Sequence, residues 1–337
     1  MSASPTAPEA LPHLLIPFAS ASAPECRALG PQLVTPHLNA LLAELTRQHT
    51  DTDTDTDTGH DHSLSLPHER ALAQALGLVQ PAGTPYGDGL IPWAAAQSDS
   101  PATPQAWFTP CHFQVGMEQV TLLPGEQLGL DDAHARALFD ALAPFCAEDG
   151  ITLHFESATR WHASGEALRG IACASLDRVI GRPVDAWLVE SPANPAGAQL
   201  LKRLQSEAQM LFYTHAVNDA REAAGLHIIN GIWVSGAGAL AGPLAPQAVP
   251  DMPETLRQAA LRADWAAWQA AWAALDATAI KPLLDAARRG EPVTLTLCGE
   301  RSAQRWVNAP RSAGARLGHF FKNLRAPAPA WNVLETL

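Results

Sequence analysis

Basic side chains are scarce in this chain. Its 337 residues carry 22 Lys and Arg against 34 Asp and Glu, for a formal charge of -12. Nucleic acids and anionic membrane surfaces are gripped by clustered cations, so this balance speaks against both partners while leaving room for a local basic pocket. An early cation is also missing. The first is Arg27, without the charged start and long apolar run of a secretory signal, and the expected location is the cytoplasm. Long uninterrupted apolar runs are lacking too. Residues 228–250 hold no charge, but Asn230, several glycines, Pro243, Pro246 and Pro250 break them, which predicts a buried strand and loop instead of a membrane span. The five cysteines, Cys26, Cys111, Cys146, Cys173 and Cys298, form no CxxC pair. Their spacing argues against a disulfide framework or zinc knuckle and predicts small buried thiols.

What is present suffices for a sizeable core, since 47% of the residues are hydrophobic and 17% charged. Residues 13–18 form a short apolar run of strand length. Residues 35–45 have amphipathic helical spacing, with Pro36 at the first turn and Thr35 placed to cap it. The repeat at residues 51–58, followed by Gly59, His60, Asp61 and His62, is like-charged and of low complexity, which predicts a disordered acidic loop with at most weak affinity for a divalent ion. A helix is expected over 66–78 and a loop over 83–93. Paired strands follow at 111–115 and 119–123, then a helix at 131–148 and strands at 151–156 and 160–163.

Residues 199–213 read as an amphipathic helix and 228–234 as a strand. Residues 254–289 form an Ala-rich helical stretch in which Trp265, Trp268 and Trp272 recur at helical spacing, as core or subunit contacts. A last buried strand is expected at 293–297. Strands separated by helices favour an α/β fold with a mainly parallel sheet flanked by helices. Residues 1–106 and 191–337 would supply the two halves of that core, with residues 13–18 and 228–234 sharing its sheet. Residues 107–190 would form an inserted α+β lobe.

Thr35-Pro36-His37-Leu38-Asn39-Ala40-Leu41 follows the first strand as a TPNLDAL-like element, and Asp177, Arg178, Gly181 and Arg182 form a D-x-R-x-G-R-like segment. His215, Val217, Asn218, Arg221, Gly225, Asn230, Trp233, Gly236 and Gly238 follow as an HPVN to RGxG-like run. These segments resemble, in the same order, motifs of the archaeal-type cofactor-independent phosphoglycerate mutases of the alkaline phosphatase superfamily. The opening residues 13–19 and the segment from Gln209 to His215 are similar to a proteobacterial family described as RpfE-type regulatory or phosphoglycerate-mutase-like, which brings a fold and no secure activity.

Enzymes of this superfamily use two divalent cations and a Ser or Thr nucleophile. The resemblance places Pro17-Phe18-Ala19 where the first ligand is expected, His68 where the nucleophile is expected, and Cys298-Gly299-Glu300 where the late Asp-His pair is expected; beyond that strand the only histidine is His319. His68 is the one weak catalytic candidate, and no metal ligands are identified. Arg160, Arg178, Arg182, His215, Asn218, Arg221 and Asn230 are the candidates for binding a small phosphorylated or carboxylated ligand, because guanidinium groups grip such anions bidentately. The bland alternative is that the arginines bridge Asp177, Asp185, Asp219 or Glu222. Three functions follow from the resemblance and the gaps in it: a metal-free regulatory or anion-binding protein, an active mutase or phosphatase using Mn or Mg through unrecognised ligands, or a scaffold that meets a partner or a second copy through Trp265, Trp268 and Trp272.

Overall fold

A computed structural model of the chain describes residues 12–48, 63–242, 244, 247–308 and 328–337. The acidic loop expected at 51–62, and His319, lie outside them. The described strands are β1 (His13–Ile16), β2 (Thr46–Gln48), β3 (Gln105–Val115), β4 (Val120–Pro124), β5 (Thr152–Ser157), β6 (Arg160–Ser164), β7 (Gly231–Gly238), β8 (Thr294–Cys298) and β9 (Ala303–Val307). The fold is mixed α/β in two compact units, one of residues 1–61, 67–76 and 246–337, the other of residues 62–66 and 77–245.

The first unit holds a sheet of order β1-β8-β9-β2. β1 and β8 are parallel, with Ile16 opposite Leu297, whereas β8 with β9 and β9 with β2 are antiparallel. The sheet is therefore mixed, not mainly parallel. The reason is the tight return after β8, closed by the Gly299 N–H donating to Ser302 O at 3.0 Å; a parallel neighbour requires a long crossover that this turn does not supply. Leu14, Ile16, Leu295 and Leu297 pack with Leu38 and Leu41 of the helix Pro36–Glu44, Trp268 and Trp272 of the helix Trp265–Leu275, and Leu283 and Leu284 of the helix Lys281–Arg289. Trp268 and Trp272 are fully buried and meet edge to face, so both serve this core.

The second unit is built on an antiparallel sheet in which β3 is long enough to serve three partners. Gln105 to Phe108 pair with β6 and Cys111 to Val115 with β4, while β7 runs along the opposite edge of β3. The expectation that residues 228–234 share a sheet with residues 13–18 is thus corrected. β7 belongs to the second unit because its partner lies in β3, a pairing of distant segments that strand propensity does not encode. The unit also extends past residue 190, through the helix Pro195–Tyr213, to Ala245. One face of the sheet packs Phe108, Trp161 and Val234 against Leu138 and Leu142 of the helix Asp132–Glu148 and Leu201 and Phe212 of the helix Pro195–Tyr213. Trp233, Cys111 and Leu122 face a smaller cluster with Val179, Val184 and Trp187.

Candidate functional site

In α/β sheets, reactive groups collect beyond the carboxyl ends of parallel strands. In the first unit that edge lies beyond β1 and β8, and the three segments singled out from the sequence meet there. The ring centroids of Phe18 and His68 are 5.6 Å apart. The Ala19 N–H donates to Cys298 O at 2.8 Å, and Glu300 Oε2 accepts from the Ser22 N–H at 2.8 Å and from the Ser22 hydroxyl. His68 is held in the first turn of the helix Pro67–Ala75 and is 4% exposed.

Phe18 has φ 52°, a left-handed conformation that is an outlier for so bulky a side chain. Two bonds hold it there: Trp268 Nε1 donates to Phe18 O at 2.9 Å, and the following residue is tied to Cys298. The Trp268 bond escaped sequence reasoning, although the Trp spacing had marked that residue as buried.

The chemistry at this edge is quiet. Phe18 offers no donor to a cation, and Glu300 is occupied by Ser22. Burial, reinforced by the Glu300 carboxylate, pushes the nearby Cys26 thiol up to about 11, which disfavours its thiolate form. Among the described residues no three His, Cys, Asp or Glu side chains gather as a metal-ligand set. Phe18 in particular cannot replace the carboxylate that the resemblance expects directly after β1.

The seven residues expected to bind an anion all lie in the second unit, and the described bonds of most run to the protein's own backbone. Asn218 is buried; Nδ2 donates to the carbonyls of Phe212 at 2.7 Å and Ile229 at 2.8 Å, while Oδ1 accepts from the Ile229 N–H at 2.8 Å. Arg221, also buried, donates from Nε to His227 O at 2.8 Å and from Nη2 to Leu128 O at 2.7 Å. His215 caps the helix Ala216–Ala223, its Nδ1 accepting from the Val217 N–H at 3.2 Å. Asn230 bonds both backbone groups of Phe113. Arg178 is buried and donates to Ser63 Oγ at 2.6 Å. Arg182 is half-buried just after the short helix Leu176–Val179. Arg160 pairs with Glu156 and lies over the Trp107 ring at 5.2 Å. The structure brings His215, Asn218 and Arg221 onto one short helix; Arg160 stands apart on β6.

Sequence reasoning missed a cavity of about 620 Å³ in the second unit, floored by Phe113 and Asn230 and walled by β4, the segment 184–188 and the end of the helix Pro195–Tyr213. Its apolar lining comes from five separate segments, so no single stretch announces it.

Comparison with protein-family models and with curated protein sequences finds no match. Among solved structures, the chain is similar to the cofactor-independent phosphoglycerate mutase from Thermoplasma acidophilum DSM 1728, with a TM-score of 0.34 and 12% identity over 88% of this chain and 89% of that one. It is also similar to the PH0037 protein from Pyrococcus horikoshii, with a TM-score of 0.42 and 14% identity over 89% of this chain and 88% of that one.

Proposed function

We propose that this chain is a divergent relative of the cofactor-independent phosphoglycerate mutases that acts by binding, as a regulatory protein of the RpfE-related type, and performs no metal-dependent phosphoryl transfer. What supports this is the convergence, at one strand edge, of Phe18, His68 and Cys298-Gly299-Glu300, the positions that the motifs match to ligand, nucleophile and ligand pair. Phosphoryl transfer depends on cations to neutralise the moving group and on a hydroxyl to accept it, contributions commonly worth several kcal/mol of barrier each. Phe18 cannot ligate a cation, His68 has no hydroxyl where the motif expects one, and Glu300 already accepts from Ser22.

The ligand in this proposal is a small phosphorylated or carboxylated molecule. Arg160, Arg182 and His215 are the candidates that keep solvent access, while Arg178, Asn218 and Arg221 are buried. The test is metal analysis and activity measurement on the full chain, freed of any tag. The expected result is no stoichiometric Mn, Mg or Zn, and no 2- to 3-phosphoglycerate interconversion or phosphatase turnover with added metal. Two tightly bound ions per chain, with turnover abolished by a chelator, would establish the enzyme instead.

A further inference from the structure

We propose that the 620 Å³ cavity of the second unit is a binding site for a small apolar molecule carrying a protonated amine. This goes beyond the function proposed above, since it uses none of the strand-edge residues of the first unit. The volume lies within the range of about 300–1,000 Å³ typical of small-molecule sites, which are mainly apolar with a few polar groups. Here Val115 and Val120 come from neighbouring strands, Leu188 from the facing segment, and Met210 and Tyr213 from the end of a long helix. Val115, Met210 and Tyr213 are 78%, 75% and 76% exposed, an apolar concentration that a solvated surface does not require. Methionine adapts its shape to what it covers.

Charge selects the class of ligand. Asp185 is the one charged residue of the lining, and no basic side chain accompanies it. A carboxylate ligand would meet a like charge with no counter-ion, whereas an ammonium group would pair with Asp185 while its apolar body fills the groove. Asn230 does not compete for this role, because its amide already bonds both backbone groups of Phe113.

The experiment uses N-phenyl-1-naphthylamine as an apolar fluorescent probe on the full chain, with dodecylamine and dodecanoate as competitors below their micelle concentrations. We expect a saturable, one-to-one rise in probe fluorescence, displaced by dodecylamine at roughly two- to fivefold lower concentration than by dodecanoate, the size of an exposed charge effect. Asp185→Asn should bring the two competitors together. The Val115→Asp/Met210→Asp pair should abolish the rise with unchanged circular dichroism and melting, since both side chains are exposed. The proposal is overturned by absence of a saturable rise, by equal displacement in the unmodified protein, or by a rise that survives the double substitution. Probe binding that fades at high protein concentration as a dimer forms in sedimentation would also overturn it, by giving the groove to a second copy.

Discussion

The side chain of Asn230 stands in for a strand beside Phe113: its Oδ1 accepts from the Phe113 N–H at 2.6 Å and its Nδ2 donates to the Phe113 carbonyl at 3.0 Å. β7 begins at Gly231, opposite Cys111, so the amide carries the ladder one step further than the backbone does. Asn230→Ala would strip the partner from two half-buried peptide groups and should lower stability by about 1–3 kcal/mol. Asn230→Asp keeps the acceptor but sets a carboxylate against the Phe113 carbonyl, and should be no milder. Ligand-free thermal melting, with hydrogen exchange at the Phe113 amide, measures both; unchanged melting of both variants would return Asn230 to a purely ligand-binding role.

A comparable long-range cap holds the helix Pro36–Glu44. Thr35 makes no side-chain cap. The buried Asp276 accepts instead from the Leu38 N–H at 2.8 Å and the His37 N–H at 3.1 Å, with His37 Nδ1 2.8 Å away. Asp276 opens the π-helical turn Asp276–Ile280, where the wider winding presents the carboxylate to the neighbouring helix end. Asp276→Ala should cost about 2–3 kcal/mol and Asp276→Asn less, because the amide oxygen still accepts one bond. Urea unfolding of the two variants checks the order, and equal losses would show that the cap bonds are not what matters.

These two residues mark where sequence reasoning stops. The helix Asp132–Glu148, with Asp131 capping through the His134 N–H, and the antiparallel β3/β4 pair were legible because their determinants lie within a few residues of one another. The three segments that the resemblance singles out lie together at the β1/β8 edge. β2 and β9 were not foreseen: Thr46–Gln48 is short and polar, and Ala303–Val307 is largely half-buried, so neither has a strong apolar alternation. The β3 partner of β7, the Asp276 cap and the Leu128 acceptor of Arg221 depend on segments far apart in the chain. For a guanidinium in particular, residue type announces the capacity to bind an anion but not whether protein carbonyls have already taken it.

Histidine burial should make the fold acid-sensitive. His13 is lowered to about 4, mainly by burial and then by the Arg305 charge; its Nε2 lies 2.9 Å from Thr296 Oγ1. Between that value and the ordinary 6.5, the unfolded chain takes up a proton that the folded chain refuses, so stability falls as pH drops through this window. His112 and His162, also lowered by burial, add in the same direction in the second unit. His13→Gln should flatten the decline of the first unit by about 1–3 kcal/mol over the window. Urea midpoints measured from pH 7 to pH 4 provide the check, and parallel slopes for variant and parent would remove His13 as a cause.

The turn after β8 allows no side chain. A Cβ built on Gly299 would lie 2.6 Å from Leu337 Cβ and 2.7 Å from the Leu337 carbonyl oxygen, closer than such atoms approach. Leu337 is itself buried, and its segment is pinned by Gln304 Nε2 donating to Thr336 Oγ1 at 2.9 Å. Relief therefore requires backbone to move, not merely a rotamer. Gly299→Ala should destabilise the first unit by about 1–3 kcal/mol, the usual range for overpacking. Deleting Leu337 should also cost stability, because a buried apolar side chain is lost. In the double variant, however, the added methyl has nothing left to strike, so the two losses should fall short of additive by roughly the strain of the single alanine variant. A double-mutant cycle in urea measures that coupling. If the losses simply add, the cost of Gly299→Ala lies within the turn itself and Leu337 does not press on the β8 edge.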